Sequence, residues 1–188
     1  MTQRVFTAED QLAFARLSGD YNPLHLDPVL ARRLLFGRQV VHGVHALLWS
    51  LDDHLKSRKQ PLELRTVKAN FQTGIGVGQT VYCLVTQPDD GRVAIKLEAD
   101  GTPAAWIEIS WSPVRDRRMG PLPKLSAEPA RCRERSLEET AAAAGTVALY
   151  LDGDLAGELF PNLMQVLPPS QLAALLATTR LEIGRAHV

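Results

Sequence analysis

The chain has 188 residues, 45% hydrophobic and 22% charged, with 21 Lys and Arg balancing 21 Asp and Glu. That length holds one to two domains, and a formal net charge of zero argues against a protein built around nucleic acid, which carries a large basic excess. No apolar run approaches membrane-spanning length. The opening MTQRVFTAED has no apolar signal core, and Cys83 and Cys132 lack metal-type spacing, so a reducing, cytoplasmic setting is expected.

Thr7, followed three residues later by Asp10, reads as a weaker version of the capping box. Leu12, Phe14, Ala15 and Leu17 then support a helix of about ten residues ending near Gly19. The next stretch, Ser18-Gly19-Asp20-Tyr21-Asn22-Pro23-Leu24-His25, is the most informative in the chain. It places a carboxylate, an amide and an imidazole within six positions, on a backbone expected not to be regular helix. Pro23 pushes Asn22 toward an extended conformation and Gly19 permits a sharp turn. Three such side chains on one rigid turn suit a device that holds and deprotonates a small molecule such as water. Gly, Asp, Asn and Pro are also common turn residues, so the string alone reads equally as a helix stop.

Asp27-Pro28 looks like an N-cap with proline at the first helical position. Leu30, Leu34 and Leu35 continue that second, short helix, and Gly37 ends it. A third helix is predicted from His42-Gly43, with Val44, Leu47, Leu48, Leu51 and Leu55 as an apolar stripe and Asp52, Asp53 and Lys56 away from it. Ala46 and Trp49 widen the apolar surface, so this helix should be mostly buried. His45 and His54, on or beside it, read as packed or solvent-facing histidines. Gly74, Gly76 and Gly78 have the wrong spacing for a dinucleotide fingerprint, and no helix is predicted after them.

From Leu62 to Trp111 the period changes to two. Val93, Ile95, Leu97 and Ala99 alternate with polar residues, as do Ala105, Ile107, Ile109 and Trp111. Short turns at Pro88-Asp89-Asp90-Gly91 and Asp100-Gly101-Thr102-Pro103 make these strands antiparallel hairpins. Helices followed by antiparallel strands imply an α+β domain over residues 1–112, with a sheet curled over one long helix. Residues 113–137 are rich in Pro, Arg and Glu and read as a linker that includes Arg115, Asp116, Arg117 and Arg118. Residues 138–188 follow, with a strand-like Val147–Leu151 and a helix predicted over Ser170–Arg180.

The stretch FARLSGDYNPLHLDP, residues 14–28, resembles the signature of the MaoC-like, (R)-specific enoyl-CoA hydratases, called hydratase 2. Val41-His42-Gly43 before an apolar helix is similar to the family's second landmark. The resemblance covers about residues 4–112 and departs at Phe71–Gln79, where the family carries a Pro-containing turn and an acidic residue after the last glycine. It implies the hotdog fold, an antiparallel sheet wrapped around a long central helix. It also implies roles: Asp20 as the general base that deprotonates water, His25 as the second acid/base group that supplies the α-carbon proton, and Asn22 as a ligand of the water or an orienter of the pair. The Gly43 N–H, at the positive end of the long helix, would receive the thioester oxygen as it becomes enolate-like. Ser18, Gly19, His42 and Arg38 are the expected substrate-binding residues, and Arg32, Arg33 and Arg38 read either as contacts for coenzyme A phosphates or as a solvated face.

The activity implied is reversible hydration of trans-2-enoyl-CoA to (R)-3-hydroxyacyl-CoA with no metal or redox cofactor, on an acyl-CoA or acyl-carrier-protein thioester. Hotdog units pair, so a partner unit in trans, giving a dimer, or in a longer chain is expected. The alternatives are a 3-hydroxyacyl-[acyl-carrier-protein] dehydratase, a thioesterase, and a non-catalytic acyl-binding or dimerisation module; Asp20, Asn22 and His25 together argue against the last. Residues 160–181 resemble the opening of a second hotdog-like module in longer MaoC-type proteins. Residues 182–188 resemble a translated sequencing adapter, so an incomplete module with an artefactual end is expected, and His187 is given no role.

Overall fold

The computed structural model describes residues 1–114, 152–169, 171–173 and 175–176. Nearly all of the expected linker, the Val147–Leu151 strand and residues 177–188 lie outside these. Helix α1 (Ala8–Ser18) starts on a complete capping box: Thr7 Oγ1 accepts the Asp10 N–H at 3.2 Å and Asp10 Oδ2 accepts the Thr7 N–H at 2.8 Å. Gly19 ends it in the left-handed conformation, φ 73°, with its N–H on the Ala15 carbonyl.

Two expectations need correction in the next stretch. The segment holding His25 is a single helical turn, α2 (Pro23–Leu26), with Asn22 as its N-cap. Proline fits there because the first helical N–H has no partner to lose. The second predicted helix is only four residues, α3 (Pro28–Ala31), capped by Asp27. Leu34 and Leu35 lie beyond it in turns, and Leu35 is 94% exposed. An apolar face this short has no core to meet, and isolated short helices do not sustain themselves.

Helix α4 (Gly43–Leu55) is buried along most of its length, as its stripe predicts. Five antiparallel strands follow the order β1-β3-β4-β5-β2, where β1 is Thr2–Val5, β2 Leu62–Phe71, β3 Thr80–Asp89, β4 Arg92–Ala99 and β5 Thr102–Pro113. Strand β1, too short and half-exposed to announce itself by periodicity, pairs with β3 at one edge. Asp100 (φ 48°) and Gly101 (φ 78°) join β4 to β5 with two left-handed residues, the backbone that matches strand twist in a two-residue hairpin. The buried alternates of β4 and β5, Val93, Ile95, Leu97, Ala105, Ile107 and Ile109, share one core with α4. This is the expected hotdog arrangement.

Two further helices, α5 (Gly153–Leu159) and α6 (Pro161–Val166), join that same core through Ala156, Phe160, Leu163 and Val166. Phe160 is fully buried and meets the Phe14 ring edge-on, with centroids 6.3 Å apart. Asp52, predicted to lie off the apolar stripe of α4, is buried because α6 covers it. Its carboxylate takes the first N–H groups of α6: Oδ1 accepts from Asn162 N (2.9 Å) and Leu163 N (2.8 Å), and Oδ2 from Asn162 Nδ2 (2.8 Å). Burial pushes the Asp52 carboxyl pKa up, against these hydrogen bonds. The packing sets a measurable contrast: Phe160→Ala should cost about 3–5 kcal/mol in denaturant unfolding. Leu35→Ala should stay within about 0.5 kcal/mol of the parent.

Candidate active site

The turn after α1 is built from its own side chains. Ser18 Oγ accepts the Asp20 N–H (3.2 Å), Asp20 Oδ1 accepts the Asn22 N–H (3.1 Å), and Asn22 Oδ1 accepts the Leu24 N–H (3.0 Å). Each polar residue thus fixes the backbone two positions on, the local habit of Ser, Asp and Asn. Ser18 and Asp20 are buried. Helix α2 then carries His25 inward, where its Nδ1 donates to the Val40 carbonyl at 2.9 Å. That bond places a proton on Nδ1 and leaves Nε2 as the face that can take up or give a proton. Burial pulls the His25 pKa down, opposed by the Val40 bond and by the nearby Asp20 charge.

His42, the residue before α4, stacks on His25 with centroids 3.9 Å apart and rings 23° from parallel. Its Nε2 lies 3.1 Å from the Asp20 carbonyl and 3.8 Å from Asp20 Oδ2. Burial, with His25 alongside, lowers the His42 pKa to about 3. The ring is therefore uncharged at neutral pH, and the 3.8 Å approach is not an ion pair. On its other side Gln11 Oε1 sits 3.0 Å from the His42 backbone N and 2.9 Å from Nδ1. Gln11 also reaches back from Nε2 toward His45 Nδ1 at 3.4 Å.

Sequence reasoning missed Gln11. The signal was present: Gln11, Phe14, Ala15 and Ser18 fall at helical spacing on the buried face of α1, and a fully buried amide there needs partners. The structure brings Asp20, His25 and His42 together, and Gly43 follows His42 in the chain. Ser18 and Gly19 shape the turn from behind. Asn22 spends its Oδ1 on the backbone, leaving its Nδ2 as the side-chain donor. Arg38 is exposed, beside Gly76: a Cβ there would stand 3.0 Å from Arg38 Nε. Arg32 and Arg33 are exposed as well.

No side chain caps the first turn of α4, the positive helix end that begins right after His42. A Cβ at Gly43 would come within 2.9 Å of Phe71 Cε1, so glycine is what admits the ring. Phe71 also borders a cavity of about 430 Å³, lined by Val44, Leu47, Val67, Lys68, Ala69, Phe71 and Leu175. It runs along α4 away from Gly43. Asp20, His25 and His42 bring one ligand-type atom each within 4.8 Å of one another. Both His42 ring nitrogens already face oxygens, so a metal ion would have to displace one of those contacts. The arrangement suits proton handling beside a dipolar oxyanion donor.

A family model described as MaoC like domain matches residues 2–99. The chain belongs to the MaoC-like domain family. The (R)-specific enoyl-CoA hydratase of Aeromonas caviae is 48% identical over 56 residues, 30% of this chain and 40% of that protein. The mitochondrial 3-hydroxyacyl-[acyl-carrier-protein] dehydratase of Arabidopsis thaliana is 37% identical over 79 residues, 42% of this chain and 40% of that protein. The full-length peroxisomal multifunctional enzyme type 2 of Drosophila melanogaster has the same fold, with a TM-score of 0.50 and 24% identity over 59% of this chain and 21% of that one. The chain thus spans well under two thirds of the relatives it matches. The first two of these relatives carry hydratase and dehydratase names, and among the described residues no helix is long and apolar enough to cross a membrane.

The depressed His42 pKa has a thermodynamic sign. The unfolded chain protonates this histidine below about 6.5, whereas the folded chain holds it neutral down to about 3. The stability it contributes is whole above 6.5 and lost as pH falls through that window. Equilibrium unfolding should weaken there by about 1.4 kcal/mol per pH unit for this group. His42→Gln should reduce the slope by that amount, read from urea titrations between pH 7 and 4.

Proposed function

We propose that the chain is a hydro-lyase acting on 2-enoyl thioesters, adding water reversibly to trans-2-enoyl-CoA to give the (R)-3-hydroxyacyl-CoA. The observation that carries this reading is the convergence of Asp20 and His25 on His42, the residue before α4, whose first turn no side chain caps. Two proton carriers next to an oxyanion donor are what addition to a conjugated thioester requires. The water oxygen bonds to the β-carbon while a water proton passes to the Asp20 carboxylate. The α-carbon takes a proton from His25 Nε2, and the Gly43 N–H receives the thioester oxygen as charge develops on it. The pair works with one proton between its members, taken up from solvent: it sits on His25 Nε2 before addition and on Asp20 after it, and it exchanges back after each turnover. The Val40 carbonyl keeps the His25 ring oriented throughout, and Asn22 Nδ2 steadies the water.

No metal or redox group enters these steps. The cavity that Phe71 borders takes the acyl chain, and the carrier is coenzyme A or an acyl-carrier protein, distinguished by comparing rates on the two thioesters. A second hotdog unit, in trans or further along a longer chain, is expected as partner.

Loss of enoyl-thioester absorbance with purified protein tests the assignment. Asp20→Asn and His25→Ala should each lower kcat by about 10²–10⁴-fold, with little change in thermal unfolding for His25→Ala. Full activity in both variants would refute the assigned roles, and release of free coenzyme A from a saturated acyl-CoA would point to a thioesterase.

A further inference from the structure

Of the named cavity-lining residues, Leu175 alone comes from outside residues 2–99, the stretch that matches the family model. The others sit on α4 and β2. We propose that the described residues of the distal segment (152–169, 171–173 and 175–176) supply a wall of the acyl-chain cavity through Leu175, and so set the length of acyl chain that the site accepts. This rests on the reading of the site as an enoyl-thioester hydratase.

Three observations fix Leu175 in place. The Gln171 carboxamide clamps one residue of the edge strand: its Oε1 accepts the Leu64 N–H at 2.8 Å and its Nε2 donates to the Leu64 carbonyl at 3.1 Å. That pair of bonds imitates what a neighbouring strand would offer at this position. Leu175 lies four residues on, one helical turn, and so shares the Gln171 face toward β2. On the other side, Asp52 holds the start of α6 to α4 through Asn162 and Leu163. Leu172, Ala173 and Leu176, around Leu175, are buried in the common core. The segment is thus tied to both walls of the cavity, α4 and β2, and Leu175 projects into the space between them.

An acyl chain entering past Phe71 exchanges water for these apolar walls, at about fourfold in affinity for each methylene buried. Cutting Leu175 back to alanine removes three carbon atoms from the wall. Room for about two more methylenes should then raise the preference for longer substrates by about fifteenfold.

The test uses the full chain and a series of trans-2-enoyl-CoA substrates from four to twelve carbons. Leu175→Ala should move the kcat/KM optimum to longer chains. Leu175→Trp should abolish turnover of the long members while retaining the four-carbon one. Gln171→Ala, which loosens the wall without reshaping it, should blur the length preference. Thermal unfolding identifies any variant that fails to fold, and Leu175→Trp keeps the test open if the alanine variant does. Unchanged length profiles in folded Leu175→Ala and Leu175→Trp would overturn the proposal while leaving the hydratase reading intact. If the parent turns over no enoyl thioester, that reading fails, and calorimetric titration with saturated acyl-CoAs of the same lengths still decides the wall. A shift toward longer chains in Leu175→Ala supports it, and affinities indifferent to chain length or to the substitution overturn it.

Discussion

Burying α4 obliges the rest of the structure. A central helix with nine of its thirteen residues in the core carries polar groups inward, and each must find a partner or cost free energy. Asp52 finds the N–H groups of α6. Ser50 donates to the Leu47 carbonyl at 2.7 Å. His42, at the helix entry, is held between Gln11 and the Asp20 carbonyl. His45 is served only on one side: its Nε2 is buried with no hydrogen-bond partner, and its ring instead stacks on Phe14 at 4.6 Å. The candidate site is one of these settlements. The helix start leaves its N–H groups uncapped, and the same turn that partners His42 presents Asp20.

Neutral imidazole carries one ring N–H, yet His42 faces two oxygen acceptors, Gln11 Oε1 and the Asp20 carbonyl. Either tautomer leaves one ring nitrogen with its lone pair toward an oxygen. Protonation would satisfy both contacts, but burial and the stacked His25 oppose it. His42 is therefore a neutral spacer between α1 and the Asp20 turn, whereas a single carbonyl settles the His25 tautomer.

The fold was legible wherever one physical signal dominated. Alternation in β4 and β5, and the three-and-four spacing of α4, are burial patterns written directly into side-chain order. The short elements were not legible. Strand β1 is a four-residue edge, and α2 and α3 are single turns whose ends depend on proline position and on Asn22 and Asp27 caps. Asp52 looked like a solvent-facing carboxylate because the helix that covers it begins 109 residues later. In the site, Asp20, His25 and the His42-Gly43 helix start could be read from residue type and order. Gln11 could not be assigned a partner, since its contact lies 31 residues away across the core. Leu175 belongs to the same class of long-range fact.

Sequence separation also gives the site a history. The bonds that assemble the proton-handling turn against α4 join residues 22 apart, Asp20 to His42. Those that bring the distal segment onto α4 and β2 join residues 107 to 111 apart. Closing the longer loops costs about 1.4 kcal/mol more in chain entropy. During synthesis the N-terminal residues emerge first and contacts of short separation form earliest. A nascent chain can therefore set the Asp20 turn against His42 before its distal residues reach α4 and β2.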